Sequence, residues 1–522
     1  MSLVIVLVMA LALPVASQMQ EPVDYDALYK IKDEGLQRSQ VMDILSYLTD
    51  VHGARLTGSP NIRAAADWTM KKMTEWGLVN VKLEPWGPFG RGWVNERFSA
   101  NVVAPNTYPL IGYPMAWTPG TNGAVTAEAV LAVMETEADF EKFRGKLKGK
   151  FVLPMPLREV KAHFEAEAER YTDAQLADLA KQIIPGDRPQ QQFAAMLSQR
   201  QFAAKRAQFL LEEGVAAVLE PSRGDGGTVF VQSGGSRDPK EPPAPPRVML
   251  AIEHYGRIFR TLQKNVPVSI EMSVQNRFID EDPKTFNAFN VVGEIPGADK
   301  AAEVVMVGAH FDSWHAGTGA TDNGIGSAVM LEAMRILKAS GLKLRRTVRI
   351  GLWGGEEQGL LGSRAYIKEH FGDRETMALK PEHAKFAGYF NVDNGAGAVR
   401  GVYLQGNEAI APVFSRWIEP LKNLGVTTLA IRNTGGTDHL AFDDVGLPGF
   451  QFIQDDLEYN SRTHHSNMDV FERAQPQDLK QIATVVAFFV YQTANREQLL
   501  PRKPLPKPQP APHGPGGGPP RM

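Results

Sequence analysis

Apolar residues recur in three rhythms along this chain of 522 residues. From 22 to 80 the spacing is that of amphipathic helices. DWTMKKMTEWGL (67–78) repeats apolar positions at helical intervals and stops at Gly77. Short runs at VNVKLEPW (79–86) and ANVVAP (100–105) predict strands. From Gly123 the texture turns to β-like runs punctuated by Gly and Pro: AVTAEAVLAV, GKFVLPMP, GVAAVLEPS, GGTVFVQSGG, PRVMLAI and VSIEMSVQ. A polar, Ala- and Gln-rich stretch over 160–212 interrupts them and predicts helices broken near Pro185 and Pro189.

From 285 to 495 strands and helices alternate. Apolar strands are predicted at FNVVGEI, EVVMVGAH, RTVRIGLW, FAGYFNVD, GVYLQG and GLPGFQFI. Amphipathic helices lie between them, such as IGSAVMLEAMRILKASG (325–341). This alternation predicts an α/β sheet covered by helices on both faces. The Pro/Gly-rich end, PRKPLPKPQPAPHGPGGGPPRM (501–522), predicts a disordered tail.

Composition changes this picture in three places. There is no cysteine, which excludes disulfides, Cys-ligated zinc and thiol catalysis. Any metal site must use His, Asp and Glu. A net charge of -3 with scattered Lys and Arg leaves no electrostatic footprint for nucleic acid. Residues 1–17, MSLVIVLVMALALPVAS, combine an apolar run with small residues after it. They predict a cleaved signal peptide and a secreted or periplasmic protein, although no Lys or Arg precedes the run. No later segment has the roughly 20 apolar residues of a membrane span.

The polar chemistry collects where strands end. EVVMVGAH ends in His310, with Asp312 two residues on. RTVRIGLW runs into Glu356 and Glu357, and FAGYFNV into Asp393. GLPGFQFIQ leads through a loop to His464 and His465, and Asp322 precedes the helix that begins near Ile325. Singly, each has a plain structural reading: a packed histidine, a helix cap, a solvated turn. Together they occupy the strand ends where α/β sheets gather ligands. Two imidazoles and three carboxylates exceed the needs of one four-coordinate zinc with an open position. They suit two metals that share a bridging carboxylate.

The motifs HFD (310–312), TDN (321–323), GGEEQGLLGS (354–363), NVD (391–393) and HHSNMD (464–469) resemble those of the M28 zinc peptidases, in order. HGARLTGSPNIRAAADW (52–68) and FNVVGEIPG (289–297) resemble further segments of that family. The β-rich block looks like the protease-associated domain that many members carry. GTDHLAFDDVGLPG (436–449) and the Asp455–Asp456 pair are similar to the carboxypeptidase Q group.

The resemblance implies a three-layer zinc-exopeptidase domain with a mixed sheet, formed by 18–122 and 281–500 around an insert at 123–280. It implies that His310 and Asp393 bind one Zn2+, that Glu357 and His465 bind a second, and that Asp322 bridges them, with Co2+ or Mn2+ able to replace either. Asp312 would orient His310, and Glu356 would be the general base. His465 is preferred to His464 because an acid, Asp469, falls four residues after it. A cis peptide is implied after Asp322. The implied activity is hydrolysis of dipeptides or short peptides, as an aminopeptidase or a carboxypeptidase-type dipeptidase, and a homodimer is compatible with it. Two rivals share the fold. One is a single-zinc transferase of the glutaminyl cyclase kind, against which the full ligand set speaks. The other is a non-catalytic binding module, against which an intact Glu356 speaks. His439 stands as a substrate contact or a loop residue, and Arg432 and Arg462 as candidates to hold a terminal carboxylate.

Overall fold

The computed structural model describes residues 21–182, 190–280 and 288–509. The segment expected as a signal peptide and Pro185 and Pro189 lie outside the described residues. Eight strands form the sheet that carries the predicted site. In chain order they are β1 Val79–Pro85, β2 Phe289–Ile295, β3 Lys300–His310, β4 Arg346–Trp353, β5 Phe386–Asn391, β6 Val399–Tyr403, β7 Thr428–Ala430 and β8 Gly449–Gln454. Their spatial order is β1-β2-β4-β3-β5-β8-β6-β7. The centre, β4-β3-β5-β8, is parallel, whereas β1, β2 and β6 enter antiparallel.

Parallel neighbours need a crossover, and β3 reaches β4 through the helix Ile325–Ala339. Parallel strands are covered on both faces, so they read as nearly continuous apolar runs. In β3, Val305, Val307 and Ala309 face one core, which includes the helices Ile325–Ala339 and Pro476–Asn495. Met306 faces the other, with Trp353, Tyr366 and Phe442. The helix Pro476–Asn495 is buried almost throughout from Leu479 to Ala494. Its Phe489 ring meets Phe390, Phe414, Trp417 and Phe452 edge-on. Full burial of each such side chain contributes about 1.5–3 kcal/mol. The architecture is therefore α/β in three layers with a mixed sheet. The amino-terminal helices Tyr25–Gln37, Val41–Ser46 and Pro60–Glu75 add to the first helical layer.

A second eight-stranded sheet uses Gly92–Ala104, Tyr108–Pro109, Gly112–Pro114, Ala124–Leu131, Phe151–Leu153, Ala217–Pro221, Arg247–Leu250 and Val268–Ile279. It takes in a strand well before position 123, because Gly92–Ala104 pairs along its length with Val268–Ile279. One apolar run does not join it. GGTVFVQSGG makes only isolated bridges, Phe230 to Ser466 and Ser233 to Ala116. The first residues of the expected tail are tied down rather than loose. Arg502 donates to the carbonyls of His383 and Phe386, and Asn407 donates to Pro501 O. Residues 510–522 lie outside the described residues. Among the described residues, no helix is long and apolar enough to cross a membrane.

Candidate metal centre

The parallel register brings the carboxyl ends of β3, β4 and β5 side by side: His310 pairs with Trp353, and Gly308 with Asn391. His310 is the last residue of β3 and is fully buried. Its Nε2 lies 3.2 Å from Asp322 Oδ1 and 3.2 Å from Asp393 Oδ1. Its Nδ1 faces the Asp312 carbonyl at 2.9 Å. On the far side, His465 Nε2 lies 3.0 Å from Asp322 Oδ2 and 3.0 Å from Glu357 Oε2. Asp322 thus turns one carboxylate oxygen to each histidine.

Local structure explains how each side chain arrives. Asp469 accepts Thr321 N–H at 2.5 Å and Asp322 N–H at 3.2 Å, which fixes the backbone that carries the shared carboxylate. The Asn323 amide donates to Val392 O and accepts Gly326 N–H, so it ties this turn to the Asp393 segment and to the next helix. The Asp322–Asn323 peptide is cis. After β4 the chain turns at Gly355, where φ is 72° and an added Cβ would stand 2.6 Å from the Trp86 ring. The turn is caught by Asp312, whose carboxylate accepts the N–H groups of Glu356 and Glu357 and the Thr57 hydroxyl. Thr57 in turn accepts Gly355 N–H. Glu356 and Glu357 are both buried.

The doubled histidine resolves at one backbone angle. His465 has φ 67°, left-handed for a non-glycine residue, at a strain on the order of 1 kcal/mol. His465 turns into the site, whereas His464 stays 3.8 Å from Asp322 with its ring tilted against those of Tyr459 and His465.

The electrostatics are those of a charge cluster out of water. Burial alone would depress His310. The carboxylates of Asp393, Glu356, Asp312 and Asp322 together hold it well above the ordinary imidazole range. Burial would raise Asp322, but His465, His310 and His464 hold it well below the carboxylate range. Burial, and then the charge of Asp322, push Asp469 up to about 7. Five buried carboxylates, Asp312, Asp322, Glu356, Glu357 and Asp393, around two imidazoles are costly without further cations. Hard oxygen donors with imidazole fit zinc-type divalent ions. His310, Asp322 and Asp393 offer donor atoms within 4.8 Å of one another, as do Asp322, His464 and His465.

His310, Asp312, Asp322, Glu356, Glu357, Asp393 and His465 are brought together in the structure. Three other candidates are not. His439 is fully buried and faces Thr434 O, and burial pushes its pKa down to about 4. Arg462 is held by Glu167 and Glu458, and Arg432 stands over the Tyr403 ring. Sequence reasoning missed Arg55, Thr57 and Gln232. Arg55 is buried without a carboxylate partner in its hydrogen bonds. Its guanidinium donates to the carbonyls of Leu48, Phe311, Thr318 and Gly319, and so pins the loop between Asp312 and Asp322. The segment 52–68 signalled itself by resemblance, but nothing in its pattern gave Arg55 or Thr57 a role.

Fold and centre together define a metallohydrolase of the α/β exopeptidase class. Residues 290–490 match the model of peptidase family M28. Carboxypeptidase Q from Mus musculus is 26% identical over 91% of this chain and 90% of its own length. The crystal structure of a peptidase M28 precursor from Shewanella amazonensis SB2B superposes with a TM-score of 0.64 at 25% identity, over 92% of this chain and 98% of that one. A zinc aminopeptidase from Bacillus subtilis shares the fold with a TM-score of 0.53 at 19% identity, over 88% of this chain and 95% of its own. Residues 290–490 thus carry the match to peptidase family M28, and over about nine-tenths of its length the chain is similar to carboxypeptidase Q and to a peptidase M28 precursor.

Proposed function

We propose that this peptidase is a two-metal exopeptidase of dipeptides or short peptides, exported from the cytoplasm, with the second sheet, over 92–279, as a protease-associated insert. The observation that carries the reading is the division of Asp322, with Oδ1 3.2 Å from His310 Nε2 and Oδ2 3.0 Å from His465 Nε2. His310 and Asp393 would hold one zinc, Glu357 and His465 the other, and Asp322 both. Two zinc ions held there would supply Lewis acidity and a water nucleophile at neutral pH. Asp312 orients His310 through its carbonyl and holds the Glu356 backbone through its carboxylate. Glu356 takes the proton of the attacking water and delivers it to the leaving amine nitrogen.

A panel of unblocked, N-blocked and C-amidated dipeptides, run on the zinc-loaded and the chelated enzyme, tests this reading. Zinc-dependent cleavage that needs at least one free terminus supports it. Cleavage that survives complete metal removal contradicts it. Cleavage of the N-blocked set alone would define a carboxypeptidase-type enzyme.

A further inference from the structure

The apolar run that stays out of the second sheet lies along the loop that carries His465. Val231 N–H donates to His465 O at 3.0 Å, and Asn467 N–H donates to Val229 O at 3.1 Å. The Asn467 side chain closes the pairing, accepting Val229 N–H at 2.7 Å and donating to Gly227 O at 3.2 Å. This places the Gln232 amide against the imidazole, with Gln232 Nε2 2.8 Å from His465 Nδ1. The other ring nitrogen, Nε2, is the one directed at Asp322 and Glu357.

We propose that Gln232 is the positioning residue for His465, so that the strand-rich block supplies the outer partner of a metal ligand belonging to the other sheet. The inference rests on the two-metal reading above. A neutral imidazole carries one N–H, and a ring that gives its Nε2 lone pair to a cation keeps that proton on Nδ1. A half-turn of the Gln232 amide presents Oε1 to Nδ1–H, which fixes both the tautomer and the ring plane. An amide can face the ring in either protonation state, because it offers a donor and an acceptor at the same place.

The two histidines of the centre are thus served differently. His310 Nδ1 is met by the Asp312 carbonyl, two residues away on the same strand end. His465 Nδ1 is met from 233 residues away in sequence, by a segment whose main role is to dock one sheet against the loop of the other. His465 also holds a left-handed backbone that Val231 N–H secures through its carbonyl. Half of the centre is preorganised locally. The other half is completed by the second block.

The test compares wild type, Gln232→Leu and Gln232→Glu by zinc content per chain during titration with a chelator, alongside thermal melting of the metal-free proteins. Gln232→Leu should lose the acceptor and hold one of two zinc ions about 10–100-fold more weakly. Gln232→Glu restores an acceptor at Nδ1 and should return retention to at least the wild-type level. The metal-free Gln232→Leu chain should melt with the wild type. Equal retention of both ions by wild type and Gln232→Leu overturns the proposal. So does a Gln232→Glu chain that loses zinc like the leucine variant, or a metal-free Gln232→Leu chain that no longer folds. Failure of the two-metal reading itself would appear in the wild type, as fewer than two ions per chain, and would take this inference with it.

Discussion

The carboxylate of Asp312 accepts the backbone N–H of Glu356 at 3.1 Å. One buried acid thereby joins two strand ends, since its own carbonyl also meets His310 Nδ1. Asp312→Ala should leave the strand ends in place and keep the backbone carbonyl on His310 Nδ1, but free the Glu356–Glu357 turn that the carboxylate holds. Metal affinity or kcat/KM should fall about 10–100-fold, as for other partners of metal-ligating histidines. Steady-state kinetics with metal analysis checks this, and a variant with wild-type affinity and rate would contradict it.

The adjacent glutamates should separate by substitution. Glu356→Gln should keep the metal content of the wild type and lose turnover by about 10²–10⁴-fold, the usual contribution of general acid–base catalysis. Glu357→Gln should lose metal. If the two variants fail in the same way, the division of roles is wrong.

Arg55 makes its hydrogen bonds through a planar fork that lysine cannot reproduce. Burial lowers its pKa to about 10, so it stays charged at neutral pH. Arg55→Lys leaves several buried carbonyls unsatisfied and should cost about 2–4 kcal/mol. Urea unfolding measures the loss, and the loop between Asp312 and Asp322 should show faster amide exchange. An unchanged midpoint would remove Arg55 from the account.

Acid stability should carry the mark of two histidines, one buried and one half-buried. Burial pushes His315 and His439 each down to about 4, from an ordinary value of 6.5. Their folded pKa lies below the unfolded one, so the unfolded chain takes up protons that the folded chain refuses. Their contribution is complete above pH 6.5 and is lost as pH falls towards 4. At about 1.4 kcal/mol per pH unit, each amounts to about 3 kcal/mol. His439→Gln keeps a donor for Thr434 O but does not titrate, so urea midpoints measured from pH 7 to 4 should fall less steeply than in the wild type. An unchanged slope would contradict the assignment.

The centre was legible because its donors sit at strand ends, where a local pattern fixes both position and direction. His310, Glu357 and Asp393 each follow an apolar run closely enough that the end of the run places them. Arg55, Thr57 and Gln232 were not legible, because their roles depend on contacts between segments far apart in sequence. Nothing near Gln232 shows that TVFVQ abandons its own sheet. Its alternating apolar residues fit a strand, and only tertiary packing against Ser466 and Asn467 decides otherwise. ANVVAP (100–105) likewise reads as a strand without its full length or the sheet it joins, since the pairing of Gly92–Ala104 with Val268–Ile279 is a long-range contact.

The division of Asp322 between two histidines is the central claim, and metal counting tests it most directly. Elemental analysis or native mass spectrometry of zinc-replete protein should give close to two zinc ions per wild-type chain and almost none for Asp322→Ala, with the variant still folded by circular dichroism. A wild-type chain that binds one ion or none, or an Asp322→Ala chain that loses only one of two, would contradict the shared carboxylate.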